Sequence, residues 1–291
     1  MVDNEIRDFL VTSVINAAIH GGAAIMEIYS HPEMFNISLK SDQSPITEAD
    51  RKAHDTIKES LGKTRIPILS EEGREMHYDE RCNWELFWLV DPLDGTVEFI
   101  NRSDEFTVNI ALMSENKPIA AVVYTPSLQR LFFAARSFGS FVWEGVKPDK
   151  EANFSYSKIN DSLTQLPLNP QTRSTQIVAI SRSHNTPETF DHIELLRAAN
   201  NQIEVIEQGS SYKFCLLAEG SVDYYVRTSG TYEWDTAAGE LILAEAGGST
   251  RSLDTDQPLA YNKELLDNPW FVCRGATCTI TTQRETAPIA E

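Results

Sequence analysis

Apolar and polar positions alternate at helical spacing over the first thirty residues. Ile6, Leu10, Val14, Ala17, Gly21, Ala24, Ile25 and Ile28 fall on one face, which predicts a long amphipathic helix packed against a core. A second, more polar helix is predicted from Thr47 to about Leu61, with Thr47 as N-cap and Asp50 three positions on. The short run IPILSEE reads as a strand. In ELFWLVDPLDGTVEF the apolar run stops at Asp91, Pro92 forbids a ladder hydrogen bond, and Gly95 and Thr96 open a new turn. FTVNIALM, PIAAVVYTP, RLFFAAR and GSFVWEG are β-branched or aromatic runs separated by turn residues such as Glu115, Asn116, Ser127 and Ser137. They predict an antiparallel meander ending near Gly145.

The pattern changes beyond that point. Residues 146–174 are polar and carry Pro148, Pro167 and Pro170, so a domain boundary is expected there, separating an N-terminal α+β domain (1–150) from a C-terminal α/β domain (151–291). In the second half TQIVAIS, IEVIE and VDYYVR alternate with helical patterns at PETFDHIELLRAAN, SSYKFCLLAEG and DTAAGELILAEAGG, which is α/β order. Residues 281–291 have neither periodicity nor apolar mass and read as a frayed tail.

Composition narrows the function classes. With 291 residues, 41% of them hydrophobic and 23% charged, the chain can bury a sizeable core, and disorder is excluded for most of it. Twenty-five basic against 43 acidic residues give a net charge of −18, and no lysine or arginine run tracks a phosphate backbone, so a nucleic acid polymer is not the expected partner. The N-terminal stretch lacks a basic region, and Asn16, His20 and two glycines interrupt it. It therefore reads as neither signal peptide nor transmembrane segment, and the expected location is the cytoplasm, with at most peripheral contact at the inner membrane. Cys82, Cys215, Cys273 and Cys278 form no CxxC pair and are expected to be reduced and structural.

The candidate chemistry is carboxylate chemistry. In DPLDGT, Asp91, the Leu93 carbonyl and Asp94 are hard oxygen donors of the kind Mg²⁺ prefers. Gly95 and Thr96 would present backbone N–H groups to a phosphate at a helix start. Asp-Pro and Asp-Gly are also common turn pairs, so an ordinary strand-to-helix connection is the competing explanation. Glu71 and Glu72 after IPILS, and Asp235 in WDTAAG, are each explicable alone as a solvated loop and a helix cap. Together they are not: if Glu71, Asp91, Asp94 and Asp235 converge, each ionised pair at 4 Å repels by about 4 kcal/mol, which calls for cations or raised pKa values. His184, in SRSH, is a candidate ligand contact against the commoner role of a solvated or capping loop histidine. The remaining histidines lack zinc-ligand spacing, and no GxSxG, Walker loop or GxGxxG occurs.

LSEE, WLVDPLDGTVEFI, FTVNIAL, PIAAVVYTP, SRSH, GSSYKFCLLAEG and WDTAAG together resemble the inositol monophosphatase superfamily, most closely its bacterial 3'(2'),5'-bisphosphate nucleotidases, over residues 6–274. The resemblance implies a layered αβαβα sandwich, with α+β and α/β parts and a site between them. It implies that Glu71, Asp91, the Leu93 carbonyl, Asp94 and Asp235 bind two or three Mg²⁺ ions, and that Gly95 and Thr96 cradle phosphate. Asp50 matches the carboxylate that works with the motif threonine, here Thr96, to orient and deprotonate the attacking water; capping by Asp50 is the rival role. Lys40 is placed near the metals, and Ser183, His184, Ser211, Lys213 and Arg227 near the second phosphate and the base. The implied partner is a small phosphorylated substrate and the implied assembly a monomer or homodimer. The implied reaction is removal of the 3'-phosphate of adenosine 3',5'-bisphosphate, giving AMP and phosphate, with a role in sulfur metabolism.

Three departures bear on substrate. Val97 stands where a lysine commonly follows DGT, Arg102, Ser103 and Asp104 replace a more basic, glycine-containing segment, and residues 229–233 differ just before Asp235. An inositol monophosphatase or broader sugar phosphatase is therefore the nearest alternative. A non-catalytic nucleotide- or phosphate-binding regulatory protein is the alternative of another class.

Overall fold

In a computed structural model, residues 4–40, 44–168, 170–199 and 201–281 are described. The side chains of Ile6 and Leu10 and the expected frayed tail from residue 282 lie outside them. The first predicted helix forms as α1 (Asn4–Tyr29). Val14, Ala17, Ala24, Ile25 and Ile28 of the expected stripe are buried, but so are Ala18, Ile19 and Ala23. The helix packs against both a second helix and a sheet, so more than one face is covered. Its window Val11–Tyr29 is long and apolar enough to cross a membrane, yet 67% of it is buried inside the protein.

A hairpin of β1 (Ser38–Leu39) and β2 (Pro45–Ile46) leads into α2 (Glu48–Gly62). The cap is the one its sequence suggests: Thr47 Oγ1 accepts from the Ala49 N–H, and Asp50 Oδ2 accepts from the Thr47 N–H at 2.7 Å. Then follow β3 (Ile68–Ser70), α3 (Tyr78–Arg81), β4 (Leu86–Asp94), α4 (Thr96–Ile100), β5 (Thr107–Ser114), β6 (Lys117–Thr125), β7 (Arg130–Ala135) and β8 (Gly139–Glu144). The expected meander is present. Glu115 and Asn116 close its β5–β6 turn with φ of 48° and 58°, the left-handed pair whose twist matches the flanking strands.

The sheet does not end at Gly145. After α5 (Tyr156–Ile159), β9 (Leu163–Gln165) returns to pair antiparallel with β8, so residues beyond 150 supply the edge of the first sheet. β9 is three residues long and mostly exposed, too short and too polar to show an alternating pattern. The seven strands run in the order β3-β4-β5-β6-β7-β8-β9, with only β3–β4 parallel.

The second half contains β10 (Gln176–Ser181), α6 (Pro187–Ala198), β11 (Ile203–Gln208), α7 (Tyr212–Glu219), β12 (Tyr224–Arg227), α8 (Glu233–Glu245), β13 (Ser249–Ser252) and β14 (Phe271–Arg274). Their sheet order is β11-β10-β12-β14-β13. The first three strands are parallel, as the α/β pattern predicts, while β14 pairs antiparallel with both β12 and β13.

Three apolar clusters define five layers. Trp88 and Val90 of β4 face α1 and α2, whereas Phe87 and Leu89 face α7 and α8. That central cluster also takes Ala179, Tyr225 and Phe271 from the second sheet, whose other face packs Val178, Ile180 and Tyr224 against Ile193 and Leu196 of α6. Both faces of both sheets are covered, which is why β4 and β5 read as continuous apolar runs. This is the expected αβαβα sandwich. The four cysteines are free thiols, two of them buried.

Candidate active site

The site forms where β3 and β4 end and α8 begins. In a regular strand positions 91 and 94 would point to opposite faces. Here Asp91 pairs with Asn109 and Asp94 with Thr107, so Pro92 and Leu93 oppose Val108 alone. That bulge adds a residue to one strand and returns Asp94 to the side of Asp91. Glu71 follows the adjacent parallel strand, its N–H bonded to the Val90 carbonyl at 3.1 Å. Asp235 lies in the first turn of α8, where its Oδ2 accepts from the Tyr232 N–H at 2.7 Å.

Oxygens of Glu71, Asp91 and Asp235 lie within 4.8 Å of one another. Asp91 is 1% exposed, and its Oδ2 has no hydrogen-bond partner. Burial, reinforced by the charges of Glu71, Asp94 and Asp235, holds its carboxyl well above the usual range. Asp235 is raised likewise, by burial and then by Asp94 and Glu71. Burial also raises Glu71, against the opposing pull of Lys40. A buried, oxygen-only cluster with an orphaned carboxylate oxygen fits a hard divalent cation, which would supply the missing partner and offset the repulsion.

The other acidic groups are held by neighbours. Asp94 Oδ2 accepts from the Ser211 N–H and hydroxyl, and from Asn109 Nδ2 at 3.3 Å. Lys40 Nζ lies 2.7 Å from Glu71 and 2.5 Å from Glu72. Although burial disfavours its charge, those two carboxylates keep the ammonium above the ordinary lysine range. Thr96 Oγ1 donates to Asp50 Oδ1 at 3.0 Å, with the Leu93 carbonyl at 3.5 Å. Burial raises the Asp50 carboxyl, with the Thr47 hydrogen bonds opposing. Gly95 precedes the five-residue α4 with φ of 92°.

A profile of the inositol monophosphatase family matches residues 7–284. The chain is 40% identical over 265 residues to the 3'(2'),5'-bisphosphate nucleotidase CysQ of Salmonella typhimurium, covering 90% of this chain and 98% of that one. It is 38% identical over 253 residues to the Buchnera aphidicola protein of the same name, covering 86% of each. The chain belongs to the inositol monophosphatase family. The crystal structure of CysQ from Bacteroides thetaiotaomicron superimposes with a TM-score of 0.84 at 41% identity, covering 92% of this chain and 98% of that one. A Thermotoga maritima inositol monophosphatase shares the fold, with a TM-score of 0.70 at 20% identity, covering 94% and 93% of the two chains.

The inositol monophosphatase family is metal-dependent, generally on Mg²⁺. In this member a cavity of about 270 Å³ is lined by Glu71, Asp91, Leu93, Asp94, Gly95, Thr96 and Asp235 together with His184, Ser211, Lys213 and Arg227. Asp50, Lys40 and Ser183 do not line it; they reach it through Thr96, Glu71 and Glu98 respectively. Ser211 is turned toward the acidic cluster, bonding Asp94 and the Asp235 carbonyl. Lys213 is buried, with Nζ donating to the carbonyls of Gln208 and Ser210 at 2.9 and 2.7 Å. Burial, aided by Arg227, pushes its pKa down to about 8. Burial and then Arg227 also lower His184.

Two lining residues were not singled out by their sequence context. Glu98 is 2% exposed and accepts from Ser183 Oγ at 2.7 Å; its position two residues after Thr96 was the available signal. Tyr232 sits three residues before Asp235, within the divergent segment 229–233.

Proposed function

We propose that the protein is a Mg²⁺-dependent 3'(2'),5'-bisphosphate nucleotidase that converts adenosine 3',5'-bisphosphate to AMP and phosphate. The observation that carries this reading is one cavity lined both by a buried carboxylate cluster and by the cationic pair Lys213 and Arg227. A substrate with two phosphates has a use for both. The names of the CysQ relatives support the same substrate.

In this reading Glu71, Asp91, the Leu93 carbonyl, Asp94 and Asp235 hold two or three Mg²⁺ ions. When bound, Mg²⁺ supplies charge neutralisation at the phosphoryl and leaving oxygens and lowers the pKa of water. The Thr96 hydroxyl spends its proton on Asp50 and keeps its lone pairs for a water, which it thereby orients toward phosphorus. The proton that the water loses passes to Thr96 Oγ1 as the Thr96 proton moves to Asp50, whose carboxyl burial makes a better acceptor. The water oxygen bonds to phosphorus as the bond to the 3'-oxygen breaks, and that oxygen leaves with the bonding pair and takes a proton from solvent. The Gly95 and Thr96 N–H groups steady the phosphate, while Lys213, Arg227 and His184 receive the 5'-phosphate end. Lys40 and Ser183 act through the carboxylates they bond, and Ser211 orients Asp94. The partner is a small phosphorylated molecule, and the cytoplasm is the inferred location.

Val97 in the cavity wall favours one alternative, a sugar phosphatase, because it contributes no charge where a second phosphate would need it. Phosphate release with Mg²⁺ from adenosine 3',5'-bisphosphate, inositol 1-phosphate and AMP, compared by kcat/KM with an EDTA control, decides between them. Preference for the bisphosphate is expected. Preference for inositol phosphate would reassign the substrate, and absence of Mg²⁺-dependent release would overturn the enzyme reading.

A further inference from the structure

Tyr232 stands where two cavities meet. It lines the catalytic cavity beside Arg227, Thr231 and Asp235, and it lines a second cavity of about 520 Å³ with Glu71, Met76, Tyr78 and Trp234. Of these two cavities Trp234 lines the second. Its indole stacks on the Tyr232 ring, with centroids 5.0 Å apart and planes 20° from parallel. One face of the phenol is thus covered by an indole that does not itself line the catalytic cavity.

Its backbone is pinned on both sides. The Tyr232 N–H donates to Asp235 Oδ2 at 2.7 Å, its carbonyl accepts from Asn268 Nδ2 at 2.7 Å, and a β-bridge joins it to Asp267. An aromatic ring is therefore fixed next to a carboxylate of the acidic cluster, and the charges that attract phosphate are carried by Lys213 and Arg227 instead.

We propose that Tyr232, supported by Trp234, is a specificity-determining residue that offers a rigid aromatic platform to the planar base of a nucleotide substrate. The proposal rests on the nucleotidase reading above and adds a discriminator that charge cannot provide. Every base has a π-face that stacks on an aromatic side chain. A polyol phosphate has none, so the platform favours nucleotides over sugar phosphates of equal charge.

The test compares wild type, Tyr232→Phe and Tyr232→Ser on adenosine 3',5'-bisphosphate and on glycerol 2-phosphate, with kcat and KM measured separately in Mg²⁺. Since the pinning bonds are made by main-chain atoms, both variants keep them. Tyr232→Ser is expected to raise KM for the bisphosphate about tenfold and to lower the bisphosphate-to-glycerol-phosphate ratio of kcat/KM by about as much. Tyr232→Phe should hold that ratio near the wild-type value. A ratio unchanged by serine, or lowered as much by phenylalanine, overturns the platform while wild-type turnover of the bisphosphate leaves the nucleotidase reading standing. Failure of wild type to hydrolyse the bisphosphate overturns both.

Discussion

Asp50 accepts a hydrogen bond from Thr96 through one carboxylate oxygen, Oδ1 at 3.0 Å, and keeps the other, Oδ2, on the N–H and hydroxyl of Thr47 at 2.7 and 2.6 Å. Capping and the contact with Thr96, which compete as explanations of Asp50 from sequence, occupy different atoms of the same group. The cap fixes the carboxylate so that its free edge meets Thr96. Thr96→Val should lower kcat by about 10²- to 10⁴-fold with little change in KM, while Thr96→Ser keeps most of the rate. Asp50→Asn should lose kcat as well and should cost about 1 kcal/mol of stability through the weakened cap. Steady-state kinetics beside thermal unfolding separates the two effects, and undiminished kcat in Thr96→Val would remove Thr96 from the reaction.

The acidic cluster makes stability depend on metal and pH. Asp91 and Asp235 hold their protons to higher pH when folded than an ordinary aspartate does. Above the usual aspartate pKa of about 4, the folded state therefore binds more protons than the unfolded one, and the stability of metal-free protein falls as pH rises toward the raised values. Mg²⁺, binding only the folded cluster, should reverse that decline. Melting curves in EDTA and in Mg²⁺ between acid and neutral pH check this. Asp91→Asn should melt higher than wild type in EDTA and lack turnover. A wild-type Tm indifferent to Mg²⁺ at neutral pH would sink the ligand assignment.

Lys213 carries a separate pH dependence. An ammonium has three N–H groups, and two of those on Lys213 are taken by the carbonyls of Gln208 and Ser210, which leaves one for a ligand. Because burial sets its pKa at about 8, the charge that attracts a phosphate is lost as pH rises through that value. KM for adenosine 3',5'-bisphosphate should climb over that range more steeply than KM for inositol 1-phosphate. Lys213→Met should raise the first about tenfold more than the second. Equal losses on both substrates would take Lys213 out of the second-phosphate contact.

Gly95 is required by backbone geometry. Its φ of 92° lies in the left-handed region, and a Cβ there would sit 3.0 Å from the Glu105 carbonyl oxygen and 3.2 Å from Ser210 Cβ. Gly95→Ala should destabilise the protein by about 1–3 kcal/mol and displace the Thr96 hydroxyl from Asp50. Denaturant unfolding and kcat should both register the change; an alanine variant with normal stability and rate would show that the turn tolerates a side chain.

Local chemistry in this chain was legible wherever a few neighbouring residues decide it. Thr47 and Asp50 announce a cap, Glu115 and Asn116 a hairpin turn, and Pro92 an interruption in a buried strand. β9 and β13, at sheet edges, and β14, between β12 and β13, were hidden because these three- or four-residue segments show too few alternations to register. The carboxylates of the site could be listed from sequence, but their meeting depends on the ends of β3, β4 and α8 arriving at one place. What Ser211 does was harder still to read. Its hydroxyl points at Asp94 and the Asp235 carbonyl rather than into open cavity, an orientation set by tertiary packing. The stacking of Tyr232 on Trp234 belongs to the same class, since two aromatics at i and i+2 on a regular helix would not face each other, and only the turn at the start of α8 lets them meet.

Asp235 rides on the first turn of a helix whose later residues Ala237, Ala238, Leu241, Ile242 and Leu243 fill the space between the two sheets. Gly239 lies so close to Phe214 that a Cβ would come within 2.5 Å of the ring. The helix is therefore a lever with its fulcrum in the core and its tip in the acidic cluster. A methyl group added at position 239 must displace either Phe214 or the helix, so a packing change deep in the protein should be felt at Asp235 as weakened Mg²⁺ affinity.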